Sequence, residues 1–455
     1  MPPVSCPAVP SQTPEAARPT FVLADSAVRG DGGHHREYAV HVLEVAVEAG
    51  LRPVVFAATS VRGTFSPGVT VVPTFADDAW VRLAQRLVRA RPAIDPAGPT
   101  ETSREAASPP RALLNFGRVA MLLLRAGIHR WRRTRELRRA LATLGPSLPD
   151  LVFVPSAPGT ELGALDTVFD GRRAGCLRVV IRRLEDLTYA GGRGSARSAV
   201  RRLAEGGARF YCDTEQLCAR VEASCGVRPT LIPIPVPPFP PRDGNATRPM
   251  IAYLGDARIE KGFLHLPGIV RALVDDPDLP PDTRFVIQGA STGRDPSEIR
   301  AVASARQTLR TIDPRRVTVV EDALPTSAYH RLLQEATVVI LPYDAVAYAD
   351  RSSGVFADAL ACGALPVVPD GTWMADELRR VAPAGPDGQP QPFVLDLIAA
   401  IPSGVAGAVA LAVKRRHTLQ PLLAAIRPAW RARHSPEALL HAIEITCLPG
   451  TTNPL

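Results

Sequence analysis

The sequence predicts an α/β protein: two tandem, doubly wound parallel-sheet domains facing a central cleft. Three observations predict it. Short apolar runs alternate with helix-periodic stretches, twice along the chain; that is the pattern of a parallel sheet whose crossovers are helices. Residues 228–245 (RPTLIPIPVPPFPPRDGN) interrupt the alternation with more proline than a helix or central strand tolerates, marking a domain boundary. A length of 455 residues, 46% hydrophobic and 22% charged, suits a soluble globular chain of about two or three domains.

The elements follow in order. Residues 1–20 are proline-rich and read as a disordered tail. A Rossmann-like domain is expected over 21–240. Its first strand is the apolar run TFVLAD (20–25), which leads into Gly30-Asp31-Gly32-Gly33 and a helix-periodic stretch at 36–49. Further strand-like runs lie at 53–57, 69–73, 151–154, 178–181 and 208–212. Residues 92–110 form a Pro/Ser/Thr-rich loop, longer than compact domains usually carry. Residues 111–144 read as one long basic helix. A second Rossmann-like domain is expected over 246–425. Its strands at 250–254, 285–288, 317–320, 338–341 and 366–368 alternate with helices at 264–274, 296–309, 327–334 and 353–362. Gly363 closes the last of these helices. The segment 426–455, with a helix over 436–445, is expected to pack back on the N-terminal domain. Two such halves place ligands in the cleft, at the carboxyl ends of the strands.

Composition excludes several classes. The seven cysteines are odd in number, no Cys-x-x-Cys occurs, and no histidine pair has zinc spacing. A disulfide framework and a structural zinc are therefore not expected, and a reducing compartment is. The N-terminus lacks the basic and apolar regions of a secretory signal. The most apolar stretch, 394–413, carries Asp396, Pro402 and Ser403 and so fails as a membrane span. No Gly-x-Gly-x-x-Gly follows a strand, and there is no P-loop, His-Glu-x-x-His or Gly-x-Ser-x-Gly. Asp276-Pro-Asp278 lies in a proline-rich loop and reads as a surface turn rather than a metal site. Only two lysines occur, Lys261 and Lys414, against 53 basic residues in all. Coding bias explains the excess of arginine, but it makes each lysine worth inspecting.

Two segments carry chemistry. The first is Tyr253-Leu-Gly-Asp-Ala-Arg-Ile-Glu-Lys-Gly262, between a strand and a helix. Gly255 permits a close turn, and Arg258 and Lys261 project from the strand's carboxyl end, where two cations can neutralise a diphosphate. A solvated turn fits the same spacing. The second runs from Leu341 to Gly363. Its polar loop holds Tyr343, Tyr348, Asp350 and Arg351, followed by Ser352 and Ser353 as capping residues. The N–H groups around Ser353 and Gly354 can receive phosphate oxygens. Asp358, one turn inside that helix, is placed either to accept bonds from vicinal sugar hydroxyls or to face solvent. The two tyrosines serve as ligand contacts or as packing.

In order and separation these segments resemble the donor half of family-4-type retaining glycosyltransferases of the GT-B fold. That family's first signature is Gly-Arg-x-x-x-x-Lys-Gly. Gly255, Lys261 and Gly262 match it in register; Asp256 stands at the arginine position, and Arg258 lies two residues on. The second signature pairs two glutamates eight apart; here Asp350 and Asp358 have that spacing, followed by Ala-Leu-Ala-Cys-Gly363. The resemblance spans residues 21–373 and is strongest over 250–373.

It implies transfer of a sugar, with retention at the anomeric carbon, from a nucleotide-diphospho-sugar to a glycan, lipid-linked or other hydroxyl acceptor in cell-surface polysaccharide or glycoconjugate synthesis. No cofactor and no metal are expected; the nucleotide sugar is the co-substrate. Lys261, Arg258 and Asp358 are the implied catalytic residues. Gly255, Gly289, Tyr343, Tyr348, Asp350, Arg351, Ser352, Ser353 and Gly354 are the implied donor contacts. Gly32, Gly33, His34 and Arg182 are the implied acceptor or phosphate loop. A nucleotide-sugar epimerase or hydrolase, or a catalytically silent glycan- or membrane-binding module of the same fold, remains open.

The net charge of +8 is concentrated. Residues 111–140 carry nine arginines against one acid, and 171–202 carry nine against two, so the rest of the chain is mildly acidic. Interleaved with Leu113, Leu114, Phe116, Met121, Ile128 and Trp131, the first stretch reads as an amphipathic basic helix able to lie on an anionic membrane, with Arg130, Arg132 and Arg133 among its contacts. No aromatic-interleaved nucleic-acid motif accompanies the charge, so no nucleic-acid partner is expected. The expected location is the cytoplasm, peripheral at the inner face of the plasma membrane.

Overall fold

The computed structural model describes residues 18–30, 33–76, 111–170, 174–187, 195–240, 248–291, 293, 295–383, 398–399 and 402–444; side chains in the long helix are described from Ala126 onward. Residues 1–17 of the expected tail over 1–20, and the loop over 92–110, lie outside these residues; the tail is shorter than expected, because Thr20 is buried and opens the first strand.

The first domain is a seven-stranded parallel sheet in the order β3-β2-β1-β4-β5-β6-β7. Its strands are β1 (Thr20–Ala24), β2 (Arg52–Ala58), β3 (Thr70–Phe75), β4 (Leu151–Val154), β5 (Leu177–Val180), β6 (Arg209–Cys212) and β7 (Thr230–Leu231). The crossovers are α1 (His34–Glu48), α2 (Arg111–Ala142), α3 (Gly159–Phe169), α4 (Ala196–Glu205) and α5 (Glu215–Cys225). Strands β1, β4 and β5 are buried along their whole length. Sheets covered by helices on both faces need such continuous apolar runs.

The second domain is a six-stranded parallel sheet in the order β10-β9-β8-β11-β12-β13. Its strands are β8 (Met250–Tyr253), β9 (Arg284–Gln288), β10 (Val317–Val320), β11 (Val338–Ile340), β12 (Leu365–Pro369) and β13 (Ile398–Ala399). The helices that cover it are α6 (Leu266–Val274), α7 (Pro296–Arg310), α8 (Thr326–Glu335), α9 (Gly354–Cys362), α10 (Trp373–Val381), α11 (Pro402–Lys414) and α12 (Arg416–Arg433). The two sheets share one winding rule. Strand order reverses between β1 and β4 and between β8 and β11, and these switch points open toward each other.

The C-terminal region divides between the domains. Helix α12 stays on the second domain, where Trp430 is buried and its indole N–H donates to the Ala357 carbonyl at 3.0 Å. The next helix, α13 (Pro436–Ala442), crosses to the first domain, and Leu439, Leu440 and Ile443 join the core beneath α1. Two covalent crossings therefore connect the domains, and they are bonded to each other. The Ile234 N–H donates to His434 Nδ1 at 3.1 Å, and the Val236 N–H to the His434 carbonyl at 2.7 Å. Burial lowers the His434 pKa to about 3, so the ring is the neutral acceptor this contact requires.

Helix α2 alters the reading of the basic segment. Arg133 is buried over the Phe75 ring and pairs with Glu136 at 2.9 Å. Arg132 pairs with the same carboxylate at 2.9 Å, and Arg130 donates to Thr167 Oγ1 at 2.8 Å. These three arginines hold α2 against β3 and α3 rather than facing solvent. Ile128 and Trp131 are 55% and 61% exposed, and Arg135 lies over the Trp131 ring. The apolar residues at 113–124 lie outside the described side chains.

Candidate active site

A cavity of about 310 Å³ lies between the domains, at the carboxyl ends of their strands. The first domain contributes Asp25 after β1, His34, His35 and Tyr38 from the start of α1, Arg182 and Arg183 after β5, and Asp213 after β6. The second contributes Arg258 and Glu260 after β8, and Tyr348, Arg351, Ser352 and Gly354 after β11. A neighbouring cavity of about 780 Å³ is lined mainly by the second domain, including Gly262, His265, Pro342 and Tyr343.

The β8 loop is built around Gly255 and Gly262. Gly255 has φ 102°, and its N–H donates to Gln288 Oε1 at 2.7 Å. A side chain there would begin 3.2 Å from Val355 Cγ2 and 3.4 Å from Lys261 Nζ. The lysine ammonium and the first turn of α9 thus border the same space above Gly255. Gly262 has φ 71°, and a Cβ on it would penetrate the Pro342 carbonyl. Between them Lys261 is half-buried, with its Nζ 5.5 Å from the centre of the Tyr343 ring. Burial, and then Arg258, lower its pKa to about 8.

Arg258 is not a free cation. Its Nε lies 3.2 Å from Asp256 Oδ2 and its Nη1 2.8 Å from Glu260 Oε1. The other Glu260 oxygen meets Arg351 Nη1 at 3.3 Å, and Arg351 Nη2 reaches Glu185 of the first domain at 2.9 Å. A chain of ion pairs, Asp256–Arg258–Glu260–Arg351–Glu185, therefore crosses the mouth of the cleft.

The β11 loop faces both domains. Ser353 caps α9 by accepting from the Phe356 N–H at 3.3 Å, and Gly354 begins the helix. First-turn N–H groups of a helix have no partner within it. The His34 ring presses on Gly354 from the other domain, 3.1 Å from where a Cβ would stand. His34 keeps an edge open to the cleft but is enclosed by both domains. That enclosure, with His35 and Arg182 nearby, lowers its pKa to about 4, so it is neutral at pH 7. Ser352 donates to Asp213 Oδ2 at 2.5 Å. Asp350 turns away from the cavity: its carboxylate pairs with Arg220 and its carbonyl accepts from Thr214 Oγ1 at 2.8 Å. Tyr343 and Tyr348 pack on each other with ring centres 4.5 Å apart, Tyr348 lining the first cavity and Tyr343 the second.

Other expected residues sit differently. Arg182 lines the cavity, but its guanidinium binds Asp213 at 2.7 Å and the Pro155 carbonyl at 2.9 Å, tying together the ends of three strands. Gly33 caps α1 without a side chain, and Gly32 lies outside the described residues. Gly289 packs against Val319 and Arg306 and borders neither cavity. Asp358 also borders neither. It is buried behind the α9 entry and accepts the Tyr329 hydroxyl at 2.9 Å. Burial, aided by Glu37, raises its pKa to about 7. Glu37 itself bridges the domains to His330 at 2.7 Å. Glu37, Tyr329 and His330 give no sequence signal; they meet Asp358 only through tertiary packing.

Asp358 yields a testable expectation. Its folded pKa of about 7 exceeds the ordinary carboxylate value, so between roughly pH 4 and pH 7 the folded state binds more protons than the unfolded one. Stability therefore falls as pH rises through that window, by up to about 1.4 kcal/mol per pH unit. The Asp358→Asn variant keeps an acceptor for Tyr329 and flattens the slope. Melting temperatures at pH 5 and pH 7.5 measure it; equal slopes in the two proteins would refute the assignment.

No family model matches this chain, and no curated protein matches it. Solved structures do resemble it. Sucrose-phosphate synthase from Thermosynechococcus elongatus aligns at TM-score 0.56 and 15% identity, over 94% of this chain and 97% of that one. The trehalose-6-phosphate structure from E. coli, bound with UDP-2-fluoro glucose, aligns at TM-score 0.58 and 11% identity, over 94% and 98%. WaaG, a glycosyltransferase involved in lipopolysaccharide biosynthesis, aligns at TM-score 0.52 and 12% identity, over 93% and 100%. With two parallel sheets, opposed switch points and end-to-end alignment at these low identities, the likeness is one of architecture: the chain has the two-domain GT-B fold.

Proposed function

We propose that this protein is a retaining glycosyltransferase, moving a sugar from a nucleotide-diphospho-sugar to a hydroxyl acceptor in cell-surface polysaccharide or glycoconjugate synthesis. One observation carries the reading: the Lys261 ammonium and Val355, in the first turn of α9, border one space above Gly255 at the β8/β11 switch point, although Lys261 lines neither cavity. A cation and a helix N-terminus converging there suit a diphosphate. Names of the similar structures, which include UDP-2-fluoro glucose and glycosyltransferase, support the same reading.

The chemistry follows from charge. The bond between the anomeric carbon and the phosphate oxygen breaks, and a bond to the acceptor oxygen forms. Negative charge develops on the leaving diphosphate, where Lys261 and the amides at Gly354 stabilise it; preorganised donors of this kind are worth ~3 kcal/mol each. The leaving oxygen takes the acceptor's proton, so no protein base is required. His34, neutral at pH 7, shields the reacting face without adding charge.

A thermal-shift panel of UDP-, GDP-, ADP- and dTDP-sugars tests the reading. One base is expected to raise the melting temperature, since ligand at 100 times its Kd stabilises by about 2.7 kcal/mol. No shift with any base contradicts it.

The protein is proposed to act in the cytoplasm, against an anionic membrane face. Among the described residues no helix is long and apolar enough to cross a membrane. What supports surface contact is the outer face of α2, where exposed Ile128 and Trp131 are followed by exposed Arg135, Arg138 and Arg139. A tryptophan flanked by arginines suits the headgroup level of anionic lipid. The combined variant Trp131→Ala, Arg135→Glu, Arg139→Glu, which leaves the Arg138–Thr167 contact between α2 and α3 intact, is expected to lose co-sedimentation with phosphatidylglycerol vesicles and to keep its melting temperature. Undiminished sedimentation would exclude this face. Arg130, Arg132 and Arg133 are unsuitable positions, because their reversal would disturb the packing of α2.

A further inference from the structure

The proposed transfer uses no cysteine, yet two cysteines meet beside the cleft. Cys212 ends β6, and Cys218 closes the first turn of α5, where its N–H donates to the carbonyl of the N-cap Thr214 at 3.1 Å. The short turn between them folds α5 back over the strand. Cys212 is fully buried in the core that Leu217, Val221 and Cys225 of α5 cover, and Cys218 packs against the same core. The two thiols are hydrogen-bonded to each other, and neither is in a disulfide.

The pair is asymmetric. Cys212 is the donor: that bond, and then burial, push its pKa up. Cys218 receives the bond, which holds its pKa below the ordinary thiol value against the opposing burial. The thiolate is the reactive form of cysteine. Cys218 is also the thiol that can be reached. It is half-buried and lines a cavity of about 470 Å³ between α5 and the edge strand β7, which shares no lining residue with the two cleft cavities. Cys225, further along α5, is buried and its thiol donates to the Val221 carbonyl at 3.1 Å.

The turn between the two cysteines joins the domains. Asp213 holds Arg182 at 2.7 Å and, across the cleft, accepts from Ser352 at 2.5 Å. Thr214 Oγ1 accepts from the Leu217 N–H at 3.1 Å and donates to the Asp350 carbonyl of the β11 loop at 2.8 Å. A covalent change at the cysteine pair therefore acts on both ends of this contact.

We propose that Cys218 is a site of oxidation by peroxide, and that Cys212 resolves it to a disulfide that loosens the β6–α5 turn from the β11 loop. The Cys218 sulfur attacks one peroxide oxygen and the O–O bond breaks, leaving a sulfenic acid and one water. The Cys212 sulfur then attacks the Cys218 sulfur; the hydroxyl departs with the Cys212 proton as a second water. Two thiols are oxidised and one peroxide is reduced. The S–S bond is shorter than the thiol contact it replaces, so the turn carrying Asp213 and Thr214 shifts against Ser352 and Asp350. A reversible disulfide suits the reducing compartment expected from the cysteine pattern. The site does not depend on the transferase reading.

Peptide mapping of the full chain, after hydrogen peroxide and then alkylation, tests the proposal. Cys212 and Cys218 are expected to be linked, with loss of two hydrogens in mass, and to be released by dithiothreitol. In Cys212→Ala, which has no resolving thiol, Cys218 is expected as a sulfenic acid trapped by dimedone, with Cys225 still reduced. Cys212→Ser, which keeps a donor to Cys218, is the second variant should alanine disturb the core. Amide hydrogen exchange over residues 350–356 is expected to rise on oxidation, to fall back on reduction, and to ignore peroxide in Cys218→Ser. Cys218 left unmodified while Cys225 oxidises, or oxidised without linkage to Cys212 in the wild type, would overturn the site. A mapped disulfide with unchanged exchange at 350–356 would overturn its coupling to the cleft.

Discussion

Replacing Lys261 with alanine is expected to lower the proposed sugar transfer by roughly 10²- to 10³-fold and to leave the protein folded. The rate loss is the ~3 kcal/mol typical of removing one preorganised donor at a developing anion. Lys261 is suited to that role because its neighbours do not neutralise it: the acids of the loop, Asp256 and Glu260, are engaged by Arg258. The ammonium instead lies over the Tyr343 ring, and burial brings its pKa down to about 8. The cost of that burial falls on stability. Between pH 8 and the ordinary lysine value of about 10.4 the unfolded chain binds more protons than the folded one, so wild-type stability rises with pH across that window. The isosteric Lys261→Met variant therefore melts higher than wild type at pH 7 and loses this rise. Donor affinity runs the other way. A diphosphate favours the protonated amine, so affinity holds below pH 8 and declines above it. Steady-state rates, nucleotide titrations and melting curves across pH 6.5–9.5 measure all three. A Lys261→Ala enzyme with near-wild-type turnover would remove the lysine from the mechanism.

Gly262→Ala is expected to be the most disruptive single methyl group in the donor loop. At φ 71° an alanine is already strained, and its Cβ would penetrate the Pro342 carbonyl. That carbonyl belongs to the β11 loop, directly after Leu341, whose N–H donates to Val367 at 2.9 Å, so it cannot yield cheaply. Two motif loops must therefore separate. A loss of ~3 kcal/mol or more is expected, together with loss of nucleotide binding as Lys261 moves. Gly255→Ala is the graded comparison: at φ 102° an alanine is strained there too, but its Cβ meets only side-chain atoms, at 3.2 and 3.4 Å, so it should perturb Lys261 and cost less stability than Gly262→Ala. Chemical denaturation of both variants ranks them; an equal, small cost for the two would show that the loops are less tightly apposed than described.

Much of the fold was legible because local signals and tertiary need agree. The expected helix at 353–362 closed by Gly363 is α9, capped by Ser353 and ended by that glycine at φ 87°. The expected strands at 151–154 and 317–320 are β4 and β10. Helices α3, α4 and α5 are not among the expected elements. They are 10 or 11 residues long, and periodicity is weak in α3 and α5; α4, however, buries Ala196, Ala199, Val200 and Leu203 at helical spacing, and Thr214 and Gly226 bracket α5 with clear cap signals, so those two carried readable signals.

The site was legible in its loops and not in its pairings. The two motif loops anticipated from the sequence do meet: Lys261 Nζ and Val355, next to Gly354, border the space above Gly255. The fate of the acids depended on partners far away in sequence. Asp350 is taken by Arg220, 130 residues earlier, and Asp358 by Tyr329, 29 residues earlier. A one-dimensional motif carries residue type and spacing, but not which charge another segment has already neutralised. The same limit applies to the basic helix, where Arg130, Arg132 and Arg133 face β3 and α3.

The most direct test of the account is calorimetric titration of the wild-type and Lys261→Ala proteins with UDP, GDP, ADP and dTDP. One nucleoside diphosphate is expected to bind the wild type and to bind the variant at least roughly 100-fold more weakly, with the two proteins melting within a few degrees of each other. Absence of binding by all four, or equal binding to both proteins, would contradict it.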